Sequence, residues 1–187
     1  MKKMLLFFGL LAGVSSCSTE DNRTYADNPT DRTLTFSIDG KAYSIPPKEH
    51  LRIDLSAGEH TLTLESGENV SFTKADNDKS GLLNPANAHY ITWTVPYTGT
   101  PVEQNRAYLN LFKDLEIDGV VYHGPFKVIE GFYNGNPRGF TWNFGLDEDF
   151  SDTYEVNHSS ATSYNLMLKK LYRLEDFITA YNELEEE

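Results

Sequence analysis

Residues 34–45 read LTFSIDGKAYSI, and the fold is legible in that stretch first. Leu34, Phe36 and Ile38 alternate with Thr35 and Ser37, the two-residue period of a strand with one face buried. Asp39-Gly40 then supplies the dipeptide of a tight hairpin turn, and Tyr43 and Ile45 return along a second strand before Pro46-Pro47 ends it. The pattern continues outward. Leu51, Ile53 and Leu55 form the next inward face, Ala57-Gly58 reverses the chain, and His60, Leu62 and Leu64 share one phase. Ser66-Gly67 turns again into Val70 and Phe72. The spacing predicts a meander of short antiparallel strands with glycine at the reversals.

Further along, Ile91, Trp93 and Val95 alternate, a polar loop runs from Tyr97 to Asn105, and strands are expected near Tyr108 to Phe112 and over Phe126 to Ile129. Ile117-Asp118-Gly119-Val120-Val121-Tyr122 echoes Ile38-Asp39-Gly40-Lys41-Ala42-Tyr43; shared hairpin chemistry and duplication both account for the echo. Phe140, Trp142 and Phe144 alternate most cleanly of all. From Ser160 to the end there is no Gly or Pro, and Leu168, Leu171, Leu174, Ile178 and Tyr181 recur at helical spacing. Tyr164, Leu166 and Leu168 also alternate like a strand, so the first half of this segment is open between the two. The expectation is a mostly β, single antiparallel β-sandwich-like domain of about eight to ten strands, with a C-terminal helix over about residues 162–184.

The N-terminus obeys different rules. Lys2 and Lys3 precede an apolar run from Met4 to Val14, too short to span a bilayer, which needs about 20 residues. Small residues follow, then Cys17, the one cysteine of the chain. This is the layout of a secretory signal. Val14-Ser15-Ser16-Cys17 resembles the lipobox of bacterial lipoproteins. The resemblance implies a signal peptide over 1–16 and a Cys17 that carries a diacylglyceryl thioether and an acylated amino group. Ser18 in place of aspartate implies the outer membrane, and Glu20 and Asp21 resemble a surface-display signal. Residues 17–31 then read as the lipidated cysteine and a flexible tether, polar and without periodicity, ahead of a β-rich domain over 32–187. A pilus-type subunit is a variant of this reading, with Arg23 or Arg32 as the cut site.

Composition bounds the function. Removal of residues 1–16 takes two of the 16 basic residues and none of the 28 acidic ones, leaving a formal charge of −14. Such a surface repels nucleic acid and anionic headgroups, so the membrane partner is engaged through acyl chains on Cys17 rather than through a basic patch. With Cys17 acylated the domain has no thiol, which excludes disulfides, thiolate catalysis and cysteine-bearing metal sites.

The segment IDGKAYSIPPKEHLRIDLSAGEHTLTL, residues 38–64, is similar to the small PEGA-type β-domains of envelope proteins. The shared features are turn chemistry, and they imply a β-domain without implying an activity.

Three groups of residues are candidates for chemistry. Asp76, Asp78 and Ser80 occupy positions one, three and five of a loop with Gly81 at six and Asn84 at nine, the order in which a calcium loop places its oxygens. Asn87 stands at position twelve, where a bidentate Glu is the rule, and a solvated loop after a strand is the competing reading. Asp147, Glu148, Asp149 and Asp152 form an acidic cluster that a solvated turn also explains. Trp93, Tyr97, Tyr133, Asn134 and Trp142, with Asn136 and Arg138 nearby, combine flat rings and amides suited to a glycan, although alternating aromatics also make a sandwich core. The histidines, His50, His60, His89, His123 and His158, show no zinc spacing, and no nucleophile elbow, phosphate loop or dinucleotide fingerprint is present. The expectation is a non-enzymatic, outer-membrane lipoprotein, on the periplasmic face or the cell surface. It binds an envelope protein or supports a surface assembly, with no cofactor unless calcium. Glycan binding and a carboxylate-dependent hydrolase are the alternatives.

Overall fold

A computed structural model describes residues 23–98, 105–137, 141–150 and 165–185. Its first strand, β1 (Arg23–Asp27), falls inside the stretch expected to be a flexible tether. The correction is large, because β1 is an interior strand. It pairs antiparallel with β4 (His50–Asp54) on one side and parallel with β7 (Asp78–Leu83) on the other. Thr24, Ala26, Asp27 and Asn28 are all fully buried. Polar composition hid the strand: its buried groups are hydrogen-bonded side chains rather than apolar ones. The β-domain therefore includes Arg23–Asp27, which a boundary at Arg32 leaves out.

β2 (Leu34–Ile38) and β3 (Lys41–Ile45) form the expected hairpin, with Leu34, Phe36 and Ile38 buried. Asp39 and Gly40 both take positive φ, 50° and 81°, the requirement of a two-residue hairpin turn of the favoured hand. β5 (Gly58–Leu64) pairs with β2, and β6 (Asn69–Lys74) pairs with β5. The meander is interrupted at β4, which crosses to the other sheet, where Ile53 is buried but Leu51 is 37% exposed at the edge. One sheet thus has the order β3-β2-β5-β6. The other is β12-β7-β1-β4, where β12 spans Tyr133–Pro137. Leu34, Phe36, Ile38, Ile45 and Leu62 from the first meet Ala26, Ile53 and Leu83 from the second in one apolar core. The two sheets pack face to face as a sandwich.

The second sheet is covered on both faces. Leu82, adjacent to Leu83 on β7, belongs to a different core with Tyr90, Ile129, Trp142 and Leu171. The cover is a third sheet, β11-β8-β13, built from β8 (Tyr90–Thr98), β11 (Phe126–Ile129) and β13 (Asn165–Arg173). Its far face packs Ile91, Tyr122, Phe126, Tyr172 and Phe177 into an aromatic core with α2 (Leu174–Glu185). The hairpin of β9 (Lys113–Ile117) and β10 (Val120–Gly124) also leans on this core, through Tyr122, Leu115 and Ile117. Asp118 and Gly119 at its turn repeat the φ values of the first hairpin, 51° and 81°.

Three sequence expectations are corrected here. Asn165–Arg173 is strand, paired residue for residue with β8, and among the described residues the helix runs over Leu174–Glu185. A strand buried on both faces loses the two-residue alternation; Leu168 and Leu171 point opposite ways yet are both buried. Near Tyr108 the chain forms not a strand but a short helical turn, α1 (Arg106–Leu109), capped by Asn105 Oδ1 on the Tyr108 amide at 3.1 Å. Thr141–Phe144 is not a strand either. Asn136 Oδ1 takes the Thr141 amide at 2.8 Å, and its Nδ2 donates to the Trp142 carbonyl at 2.8 Å, which diverts that backbone from a ladder. Only Phe144 bridges to Lys170. Phe140 lies outside the described residues.

His60 is an inward, satisfied histidine, with Nδ1 2.7 Å from Asp39 Oδ2 and Nε2 2.9 Å from the Ser56 carbonyl. Burial pulls its pKa down, but the bonds to Asp39 and Ser56 outweigh it and the pKa ends above the ordinary 6.5. Asp39 is held below the ordinary 3.8 by its bond to His60 and by the Thr61 amide. The His60 contribution is complete below 6.5 and lost as pH rises through the raised value. The Asp39 contribution is complete above 3.8 and lost as pH falls through the lowered one. Denaturant melts should therefore show the stability gap between wild type and Asp39→Asn widest between those two pH values and narrower on either side. A gap independent of pH would contradict the pairing.

Candidate functional site

Between the middle sheet and β13 lies a cavity of about 210 Å³. Its floor is apolar, made by Leu82, Trp142, Leu146 and Leu171, and Tyr25 and His50 close one side. Gly145, Asp147 and Glu148 form the outer wall. Strand alternation explains the Tyr25–His50 side: Tyr25 and Asp27 on β1 project to the face opposite Thr24 and Ala26, and His50 lies across from Asp27 on β4.

The wall segment is fastened to the framework by charge. His50 Nδ1 lies 2.7 Å from Asp147 Oδ2, and the His50 ring stands edge-on to Tyr25 with centroids 5.4 Å apart. Asp147 Oδ1 is also 3.4 Å from Arg173 Nη1. Glu148 folds back to accept the Gly145 amide at 2.7 Å, and Lys170 reaches Asp149 at 3.3 Å. Asn143 and Phe144 donate their amides to the Lys169 carbonyl, at 2.8 and 3.0 Å.

Behind the wall sits a buried ionic knot. Asp27, with no exposed surface, receives Arg173 Nη2 at 2.6 Å and Nε at 3.0 Å, and Tyr90 Oη donates to it at 2.8 Å. Burial opposes the guanidinium charge, but the bonds and charge of Asp27 outweigh it and raise the Arg173 pKa. Burial, then the Asp27 charge, raises the Tyr90 pKa, so its hydroxyl stays a donor. A bidentate fork of this kind is among the stronger polar contacts in proteins.

The glycan set is dispersed. Trp93 stands in the aromatic core, edge-on to Phe126 at 5.1 Å. Tyr97 lies on β8 opposite Leu166. Tyr133 stacks on Phe72 at 4.8 Å in the sandwich core, and Asn134 Nδ2 donates to the Glu130 carbonyl at 3.0 Å. Trp142 alone lines the cavity, and it is 7% exposed. Asn134-Gly135 is part of β12, with Gly135 opposite Gly81. Both glycines are needed there, because a Cβ on Gly81 would strike the Tyr133 ring and one on Gly135 the Asp78 carboxylate.

The calcium order is not realised as a loop. β7 begins at Asp78, whose Oδ2 turns inward to accept the Ala75 amide and the Tyr133 hydroxyl, each at 3.1 Å. Ser80 Oγ receives Asn136 Nδ2 at 3.0 Å, and Asp76 is exposed on the surface. Asp78 and Ser80 are committed to separate partners, Tyr133 and Asn136, across an irregular register at Asn136–Pro137, rather than converging on a cation. Among the described residues no group of three His, Cys, Asp or Glu is placed to hold a metal. Of the acidic cluster, Asp147 and Glu148 reach the cavity, Asp149 points to solvent, and Asp152 lies outside the described residues. His89 and His123 pair with Glu130 and Asp114 at 3.6 and 2.7 Å. Cys17, Arg138 and His158 also lie outside the described residues.

Sequence reasoning missed Tyr25, Asp27 and Arg173. Nothing local marks them: Asp27 precedes Asn28-Pro29 in a polar stretch, and Arg173 falls within an apparent helical repeat. The chain matches no protein-family model, no curated protein and no solved structure, so the function must be argued from its own residues.

The Asp78 geometry makes a direct forecast. Asp78→Ala removes the acceptor of two inward donors and should lower unfolding free energy by about 1–3 kcal/mol, equally with and without calcium. Stabilisation of the wild type alone by calcium would restore the metal site.

Proposed function

We propose that the chain is a bacterial envelope lipoprotein, acylated at Cys17 and held in the outer membrane, whose β-domain binds a partner rather than transforming a substrate. The observation that carries the second half is the cavity at Trp142. Its floor is apolar, and its titratable rim groups are engaged with one another: His50 with Asp147, Asp147 with Arg173, and Glu148 with the Gly145 amide. A carboxylate-dependent hydrolase works with two carboxyl groups facing each other across the bond to be cut. Asp147 instead lies between a histidine and a buried arginine. At about 210 Å³ the cavity is also below the roughly 300–1,000 Å³ of typical small-molecule sites. It suits one inserted side chain or ring from a larger partner.

The first half rests on the lipobox. A single acyl chain gives only reversible membrane binding, whereas several together anchor stably. No helix among the described residues is long and apolar enough to cross a membrane, so acylation is the anchoring chemistry to test. Glycan binding is the second reading, favoured by Tyr25 and Trp142 at the cavity. Cells fed an alkyne fatty acid should label the wild type and not Cys17→Ala, and the variant should leave the membrane fraction. Equal labelling, or equal membrane retention, would overturn the assignment.

A further inference from the structure

A strand of the domain lies much closer to Cys17 than a tether to residue 31 would place it. Only residues 18–22 separate the acylation site from Arg23, the first residue of β1. Six peptide steps span at most about 20 Å when fully extended. β1 cannot peel away to lengthen that reach. It lies between β4 and β7, and Asp27 is held by Arg173 and Tyr90 in the interior.

Strand directions settle which end of the domain is short-leashed. Arg23 pairs with Asp54, the last residue of β4, and with Ser80 near the start of β7. The Ser56–Gly58 turn and the Ala75–Asn77 turn therefore lie at the Arg23 end. The Asp39-Gly40 hairpin joins them, since His60 bonds both Asp39 and the Ser56 carbonyl. At the opposite end of β1 are Asn28, Pro46–Glu49 and the start of α2, linked by the Asn28 amide on the Glu49 carbonyl and by Lys48 on Glu175 at 2.6 Å. A five-residue strand separates the two ends by about 17 Å. Turning the far end to the membrane would require the linker to run back along the domain and spend most of its reach there, whereas the Arg23 end keeps all of it.

We infer that the Asp39–Gly40, Ser56–Gly58 and Ala75–Asn77 turns form a membrane-facing surface seated on the lipid headgroups, with the Pro46–Glu49 corner and the start of α2 turned away. This rests on the proposed acylation of Cys17. The surface carries exposed Asp39, Asp54, Glu59 and Asp76 against Lys41 and an Arg52 paired with Asp54 at 3.4 Å. Its charge fits zwitterionic headgroups and opposes anionic ones. The domain is thus a seated body rather than a probe on a long string, and the surfaces open to other proteins are its sides and far end.

The test uses the full acylated chain in phosphatidylcholine vesicles that contain a headgroup spin label. Cys17 is the only cysteine and its thiol is acylated, so Ala57→Cys and Pro47→Cys each accept one fluorophore. Both positions are exposed turn residues. Quenching should be several-fold stronger at position 57 than at position 47. It should weaken at 57 when half the lipid is replaced by phosphatidylglycerol. Equal quenching at both positions, or stronger quenching at 47, would overturn the seated orientation while leaving the anchor intact. Stronger quenching at 57 on anionic lipid would overturn the choice of headgroup. Loss of the acyl label in wild type would remove the anchor and the orientation together. Circular dichroism on both variants identifies any that misfold, and hydrogen exchange of the hydrogen-bonded Thr61 and Ala75 amides on the unsubstituted chain, slowed further when vesicles are present, is the independent readout.

Discussion

A carboxylate with no solvent exposure must be answered by a cation and by hydrogen bonds, or it will not stay ionised inside a protein. Asp27 meets that condition through the forked contact of Arg173 and the hydroxyl of Tyr90. The three residues come from the first, last and eighth strands, and their convergence decides much of the architecture. It holds β1 between β4 and β7, brings the last residue of β13 against the middle sheet, and places α2, which starts at the next residue, over the aromatic core. Arg173 also reaches Asp147 and Asp176, so the cavity wall and the first turn of α2 share its charge. A buried pair of this kind adds little over an apolar substitute, yet removal of one partner costs about 3–5 kcal/mol.

Buried amides do the same work on a smaller scale. Asn28 Nδ2 lies within hydrogen-bond reach of the Arg32, Ile45 and Pro46 carbonyls, while its Oδ1 takes Thr30. Asn84 ties Ala88 to Gly131, and Asn136 ties Ser80 to the Thr141–Trp142 backbone. Each amide satisfies loop backbone that would otherwise be buried without partners. The domain has no disulfide available to close those loops, and asparagine side chains close them instead.

This division explains what was legible beforehand. The Leu34–Ile45 hairpin, the Leu62 face, the Val120 hairpin turn and the inward His60 all announce themselves, since alternation and Asp-Gly chemistry are local signals. The mostly β class follows from them. β1 was illegible because Thr24, Ala26 and Asp27 are small or polar, and their burial depends on Arg173, 146 positions away. β13 was ambiguous because both its faces are covered. The clean alternation of Phe140, Trp142 and Phe144 misled for the opposite reason: Asn136 captures the backbone that a strand would need. The candidate site was half legible, with Trp142, Asp147 and Glu148 visible as residues but not as neighbours of Tyr25 and His50. Adjacency across sheets leaves no trace in spacing.

The seating of the domain, the wall of the cavity and the position of α2 all presuppose that β1 is an integral strand. Native-state amide hydrogen exchange across residues 23–31, in wild type and in Arg173→Leu, tests that directly. The account predicts that amides of β1 exchange in the wild type only through global unfolding, with the protection of β2 and β8, and lose much of it in the variant. Exchange of the β1 amides at the rate of an unstructured chain in the wild type would contradict it.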